Sequence, residues 1–85
     1  MKGNRAMLLQ YTWRETLDEF AKGAMTMPEV CIRLSIPYRA AAQRMKTLAS
    51  HGLIEDARAE GDRGPRWAVT EAGLSMLAKL RGAGQ

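Results

Sequence analysis

The sequence contains little of the chemistry that catalytic and metal-binding proteins use. Its 85 residues include one cysteine and one histidine, so an internal disulfide cannot form and no metal-ligand spacing arises. No Ser–His–Asp or Cys–His arrangement and no phosphate-binding loop is indicated either. We therefore expect a protein that is not an enzyme and that uses no cofactor and no metal. Cys31 is expected to be a small buried apolar group.

Long apolar runs are also missing. The longest, residues 6–9, has four residues, whereas a membrane-spanning helix needs roughly 20. This run is also too brief for a secretory signal peptide. We therefore expect a cytoplasmic protein that has no membrane partner. A chain of this size buries roughly 60% of its unfolded surface, which is enough for one modest core, so a single domain over residues 1–85 is predicted.

The charges that are present are unevenly placed. Lysine and arginine number 13 against 9 acidic residues, which gives a net charge of +4. The segment between residues 30 and 54 contains no acid and carries four cations: Arg33, Arg39, Arg44 and Lys46. A positive stretch of this kind indicates a polyanionic partner such as nucleic acid.

The spacing of apolar and turn residues predicts a mainly α protein with a small β-hairpin, an α+β fold. Apolar residues recur at helical spacing in four segments, and a glycine-rich turn cluster separates two short strands. In chain order the predicted segments are an N-terminal extension over 1–10, a helix over 12–23, a second helix over 27–35, a third helix over 37–51, a hairpin over 53–69 and a last helix over 70–81.

Two threonines are expected to begin helices. Thr12 stands three residues before Glu15, and Thr26 stands three residues before Glu29. This spacing is typical of a capping box, in which the threonine oxygen and the glutamate carboxylate satisfy the free N–H groups of the first turn.

Four sequence segments together point to a known family. They are Thr-Met-Pro-Glu-Val (26–30), Leu-Ser-Ile (34–36), Leu-Ala-Ser-His-Gly-Leu-Ile-Glu (48–55) and Trp-Ala-Val-Thr-Glu-Ala-Gly (67–73). Two short helices joined by a tight turn, with a basic second helix and a hairpin directly after it, are typical of a winged helix-turn-helix. Over about residues 12–80 the chain resembles winged helix-turn-helix DNA-binding proteins of the MarR type, in a minimal single-domain version. The resemblance implies a small bacterial or phage transcription regulator that binds specific sequences of double-stranded DNA, as a dimer at the nucleoid.

The outer side of the third helix is predicted to contact bases in the major groove. With Met45 at the centre of the buried face, Ala41 and Leu48 also point inward and the opposite side faces outward. Near the start of such a helix, arginine suits guanine, glutamine suits adenine, and alanine allows close approach to a thymine methyl group. The predicted base contacts are Arg39, Ala40, Gln43 and Thr47.

A second set of residues is predicted to contact the DNA backbone, or an adjacent groove through the hairpin, which forms the wing. Arg63 stands at the tip of the glycine-rich turn, and an arginine in this position can enter a minor groove, where the negative potential favours it. The predicted backbone and wing contacts are Tyr38, Arg44, Lys46, Arg58, Arg63 and Arg66.

A second candidate function stays open: a winged-helix module that binds another protein within a replication, recombination or packaging assembly. Acidic residues also occupy the hairpin, and the apolar residues of the last helix spread over more of its circumference than one core requires. We therefore expect an apolar interface for a homodimer or another partner. The residues predicted for it are Leu74, Leu77 and Leu80 with Met7, Leu8 and Leu9.

Overall fold

The chain combines helices with a small antiparallel sheet. The computed structural model describes the backbone of residues 2–83 and the side chains of residues 12–82. The predicted α+β order of three helices, a hairpin and a last helix is confirmed. In chain order the elements are α1 (Lys2–Ala21), β1 (Met25–Thr26), α2 (Met27–Leu34), α3 (Tyr38–Ser50), β2 (Ile54–Asp56), β3 (Arg66–Val69) and α4 (Glu71–Ala83).

Helix α1 is longer than the sequence predicts. It begins at Lys2, so the expected extension over 1–10 is wrong for residues 2–10, and Thr12 lies inside the helix instead of capping it. The carbonyl of Thr12 accepts a 2.8 Å hydrogen bond from the hydroxyl of Thr16, a common arrangement for threonine within a helix. The helix continues through residues 4–11 because this segment has neither proline nor glycine and is rich in residues of high helix propensity.

The sheet contains a strand that the sequence does not predict. Strand β1 pairs with β3, which also pairs with β2, and the order across the sheet is β1-β3-β2 with antiparallel neighbours. Two residues are too few for an alternating pattern to show. The β1–β3 pairing places Thr26 opposite Arg66, so the residue that precedes α2 is joined directly to the wing.

The turn between α2 and α3 spans residues 35–37. Ser35 adopts the left-handed conformation with φ of +53°, and the N–H groups of Ser35 and Ile36 donate to the last carbonyls of α2. Pro37 precedes α3 in an extended conformation, where its missing N–H leaves no helical hydrogen bond unmade. The turn therefore ends one helix and starts the next within three residues.

The inner stripe of α3 fixes how this helix sits on the rest of the chain. Ala41, Met45 and Leu48 are buried as the sequence predicts, and they share one core with buried residues of α1, α2, α4 and the sheet. Burial of a large apolar side chain contributes about 1.5–3 kcal/mol. The opposite side of α3 is thereby turned toward solvent.

No helix in the described part of the chain combines the length and the apolar character that crossing a bilayer requires.

The first turn of α4 packs closely on the end of the hairpin. The hydroxyl of Thr70 accepts a 3.0 Å hydrogen bond from the N–H of Gly73 and donates a 2.6 Å bond to the carbonyl of Gly52. A Cβ atom on Gly73 would lie 2.1 Å from the carbonyl oxygen of Leu53 and 2.7 Å from Cγ2 of Val69. Both distances are far below van der Waals contact, so only glycine fits at this position.

We predict that Gly73→Ala lowers the free energy of unfolding by about 1–3 kcal/mol or more, because the added methyl group must displace backbone. Urea unfolding at neutral pH measures the change. Gly82→Ala is the matched control on the same helix, since a Cβ atom there meets nothing within 4 Å, and this variant should keep or slightly raise the stability. Equal stability of the two variants would contradict the close packing at Gly73.

Candidate nucleic-acid interface

The exposed side of α3 carries polar and small side chains. Arg39, Gln43 and Lys46 are exposed, whereas Ala40 and Thr47 are half-buried. The hydroxyl of Thr47 donates a 3.0 Å hydrogen bond to the carbonyl of Gln43, so it is engaged by the helix itself. The structure thus places the four residues predicted to contact bases on one side of the helix, together with Lys46.

The positive charge on this side of α3 is not neutralised within the described part of the chain. The ion pairs among residues 12–82 involve other cations than Arg39 and Lys46, and α3 itself contains no acid. The two side chains are therefore available to an external anion.

A groove separates α3 from the wing. It has a volume of about 380 Å³ and adjoins a second space of about 390 Å³ at the wing tip. The groove is mainly apolar, and its lining residues are Met27, Tyr38, Ala42, Met45, Lys46, Ala49, Pro65 and Trp67. Tyr38 lines both spaces and is 65% exposed. Arg63 lines the space at the wing tip, so a cation stands on each side of the gap between helix and wing.

The side chain of Arg44 is hydrogen-bonded within the protein. Its Nη1 donates a 3.2 Å hydrogen bond to the hydroxyl oxygen of Thr16, which is fully buried on α1. The guanidinium is therefore held against α1, and Arg44 connects α3 to α1 instead of extending freely from the helix. Whether it also reaches a phosphate stays a prediction.

Two of the three wing arginines are paired with acids of the same hairpin. Arg58 donates to Oδ2 of Asp56 from Nε (2.8 Å) and Nη2 (2.6 Å). Arg66 donates to Asp62 from Nε (3.2 Å) and Nη2 (3.1 Å). Arg63, at the tip, is exposed and forms no ion pair with any residue in the described part of the chain. Arg63 is thus the wing cation that is free to bind an external anion.

The paired carboxylates also hold the wing backbone. Oδ1 of Asp56 accepts hydrogen bonds from the N–H groups of Arg58 (3.0 Å) and Arg66 (3.3 Å), and Oδ2 of Asp62 accepts one from the N–H of Ala59 (2.7 Å). The side-chain hydrogen bonds from Arg58 and Arg66 are the main cause that lowers the pKa of Asp56 and Asp62, respectively, below the ordinary carboxyl value. The sequence analysis does not single out these acids; their spacing of two and four residues from the arginines is the signal that could have identified them.

The predicted apolar interface needs correction at α4. Leu77 is 2% exposed and belongs to the core, so it cannot face a partner, and Leu80 is partly buried against the same core. Leu74 is 48% exposed and keeps its predicted place on the surface. The side chains of Met7, Leu8 and Leu9 lie outside the residues whose side chains are described.

The residues with metal-binding or redox chemistry do not gather at one place. Cys31 is half-buried and packs against the core. His51 is the C-cap residue of α3. The centroid of its ring lies 5.0 Å from that of the Trp13 ring, and the two ring planes are tilted by 57°. Among the described residues, no group of three histidine, cysteine or acidic side chains is placed to hold a metal ion.

Acid is expected to destabilise the protein through carboxylates of the wing and of α2. The pKa of Asp56, Asp62 and Glu29 lies below the ordinary value in the folded chain, so their contribution is fully present above the unfolded carboxyl pKa of about 4 and is lost as the pH falls through the lowered folded values. We predict that the free energy of unfolding, measured in urea, decreases between about pH 5 and about pH 2. Asp56→Asn should reduce this dependence, whereas Glu55→Gln is the control, because Glu55 forms no ion pair with the described residues. An unchanged pH dependence in the Asp56 variant would contradict the assignment.

Comparisons with solved structures find bacterial proteins of similar fold, whereas no protein-family model and no curated protein matches the sequence. A cysteine-to-serine variant of ZitR from Lactococcus lactis superposes with a TM-score of 0.75 and 25% sequence identity, over 85% of this chain and 50% of its own. NMB1585, a MarR family regulator from Neisseria meningitidis, superposes with a TM-score of 0.62 and 31% identity, over 91% of this chain and 51% of its own. The chain spans about half the length of either protein. The resemblance inferred from the sequence is thereby confirmed, and the chain is a MarR-like winged helix-turn-helix.

Proposed function

We propose that the chain is a transcription regulator of a bacterium or phage that binds specific sequences of double-stranded DNA. It does so with α3 in the major groove and the wing on an adjacent groove or on the backbone. The observation that carries the proposal is the outer side of α3, which combines exposed Arg39, Gln43 and Lys46 and has no neutralising acid among the described residues. A major groove admits one helix, and the residues near its start reach the base edges.

The base contacts in this proposal come from the N-terminal half of α3. Arg39 donates two hydrogen bonds to O6 and N7 of a guanine, and Gln43 forms a pair of hydrogen bonds with an adenine. Ala40 lies beside them, where its small side chain lets the helix approach a thymine methyl group. Thr47 is one turn beyond Gln43 and contacts a neighbouring base through its methyl group, because its hydroxyl donates to the carbonyl of Gln43.

The backbone contacts in this proposal come from both sides of the groove. Lys46 and Tyr38 approach phosphates from α3, and Arg63 approaches from the wing tip. Each phosphate neutralised by a cation releases a counterion, so the affinity depends on salt. Arg58 and Arg66 are positioning residues here, because their guanidinium groups are hydrogen-bonded to Asp56 and Asp62. Arg44 is hydrogen-bonded to Thr16, and its contact with a phosphate stays a prediction.

Two copies of the chain would bind a site with two-fold symmetry. The operator symmetry of helix-turn-helix dimers mirrors that of the protein, with half-sites about one helical turn apart. Leu74 is an exposed large apolar side chain of α4 and is therefore open to contact with a second copy. NMB1585, which is described as a MarR family regulator, supports the regulatory role, and DNA binding would place the chain at the nucleoid.

We predict that Arg39→Ala lowers the affinity for a selected site by about 1–3 kcal/mol and relaxes the preference at one base position. Preferred sites are first selected from a random duplex pool, and affinities are then measured by fluorescence anisotropy. Lys79→Ala removes one exposed charge from α4 and is the control. Equal losses for Arg39→Ala on selected and random duplexes would exclude a base contact.

Lys46→Gln should act differently from the Arg39 variant. A lost phosphate contact weakens binding to all sequences alike and lowers the slope of log affinity against log salt by about one. The same anisotropy titration over a series of salt concentrations measures the slope. A change in base preference, or an unchanged slope, would show that Lys46 does not contact a phosphate.

A second candidate function is a protein-binding module, favoured by two apolar residues on the surface. Ile32 on α2 is 77% exposed and Leu74 on α4 is 48% exposed, and the hairpin over 54–69 carries four carboxylates against three arginines. Titration with a mixed-sequence duplex at low salt separates the two functions. A DNA-binding protein binds this duplex weakly, and its affinity falls steeply as the salt concentration rises. A protein-binding module shows no binding to the duplex.

A further inference from the structure

Thr26 joins the helix-turn-helix to the wing. It is the last residue of β1 and the N-cap of α2, and it lies opposite Arg66 in the β1–β3 pairing. The carboxylate of Glu29, three residues further on, returns to this point. Its Oε1 accepts hydrogen bonds from the N–H of Thr26 (3.1 Å) and from its hydroxyl (3.0 Å). A capping box thus places a carboxylate at the base of the wing.

Glu29 also faces the wing. Its Oε1 lies 3.9 Å from Nη1 of Arg66. The hydrogen bonds from Thr26 are the main cause that lowers the pKa of Glu29, and the charges of Arg33 and Arg66 lower it further. The carboxylate is therefore charged at neutral pH and attracts the guanidinium of Arg66 toward α2.

Arg66 extends the chain of contacts to the wing tip. Its other two donor groups bind both oxygens of Asp62, and Asp62 in turn accepts the N–H of Ala59 at 2.7 Å. The loop from 59 to 66 is closed on itself by these bonds. Arg63 lies inside this loop, next to Asp62, and is exposed.

The ion pair between Glu29 and Arg66 adds little to the stability of the fold. The side chains of Arg66 and Glu29 are 38% and 42% exposed, and ion pairs with such exposure contribute little to the free energy of unfolding. The arrangement can instead fix the position of an arginine on the wing. This matters for binding, because an arginine enters a narrow minor groove only from a restricted set of positions. The contacts that run from Thr26 through Glu29 and Arg66 to Asp62 connect the wing tip, where Arg63 lies, to the helix-turn-helix.

We propose that Glu29, Arg66 and Asp62 form a latch that positions Arg63 against the DNA groove next to the one that α3 enters. The inference rests on the proposed DNA binding. Arg66 contacts both Glu29 and Asp62. In this proposal the three latch residues are positioning residues, and Arg63 is the residue that contacts the DNA. Glu29, which lies on α2 outside the wing, thereby influences what the wing binds.

The sign of the charge effect separates the latch from simple electrostatics. Removing a carboxylate near DNA reduces repulsion and should raise the affinity if nothing else changes. Glu29→Gln keeps a side chain that can cap Thr26 but removes the charge that faces Arg66. The latch predicts that Glu29→Gln and Asp62→Asn lower the affinity for duplex DNA. Glu60→Gln is the matched control, because it removes an exposed carboxylate from the same loop and should keep or raise the affinity.

The test is a double-mutant cycle with Arg63→Gln. Affinities for a labelled mixed-sequence duplex are measured by anisotropy at several salt concentrations. Arg63→Gln should weaken binding by about tenfold and lower the salt slope by about one. Glu29→Gln and Asp62→Asn should each weaken binding by about threefold in the wild-type background and have no further effect in the Arg63→Gln background, because residues that act through one contact are not additive.

Other outcomes overturn the latch. Equal losses in the two backgrounds would mean that Glu29 and Asp62 only support the fold, and a gain of affinity would mean that they act through charge alone. If Arg63→Gln leaves the affinity unchanged, Arg63 does not contact the DNA and the latch has no contact to position. If the wild-type protein binds no duplex, the proposed function fails together with the latch, whereas wild-type binding with additive losses overturns the latch only.

Discussion

The burial of one stripe of α3 is the constraint on which the candidate interface depends. Ala41, Met45 and Leu48 are enclosed by the core, so a rotation of the helix about its axis would expose them. Exposing each large apolar side chain to water would cost about 1.5–3 kcal/mol of folding free energy. Arg39 and Gln43 face outward for this reason, and no contact of their own holds them there among the described residues. The polar chemistry of the outer side is thus set by the apolar chemistry of the inner side.

The sequence predicts the elements whose starts carry a local chemical signal. Helices α2, α3 and α4 begin within one residue of the predicted positions, because a capping residue or a proline marks each start. For α1 the local signal is misleading: the spacing of Thr12 and Glu15 is typical of a capping box, but a helix-forming segment continues without interruption across Thr12. Strand β1 is also without a signal, because its two residues form a strand only through their pairing with β3. Local signals therefore locate three of the four helix starts, and long-range pairing determines the strand that they miss.

The same division holds within the candidate site. Helical periodicity alone predicts which residues of α3 share the outer side, because the angle between successive residues is fixed. It does not predict where a long side chain ends. Arg44 bonds to Thr16, 28 residues away in the chain, and Arg66 bonds to Asp62 within the wing. Arginine has a long stem and five donors, so its partner depends on which acceptors the fold brings within reach.

The wing differs from α3 in how it can contribute to DNA binding. Its carboxylates outnumber its arginines, so its net charge repels a polyanion, and long-range attraction must come from the α3 side. At physiological salt, repulsion between exposed charges is largely screened beyond about 8 Å, whereas the geometry that Asp56 and Asp62 impose on the loop is not screened at all. The acids of the wing therefore reduce long-range attraction to DNA only slightly, and their main effect is on the geometry of the loop. In the proposed complex, a wing of this composition contributes by placing one cation, Arg63, and not through its overall electrostatic field.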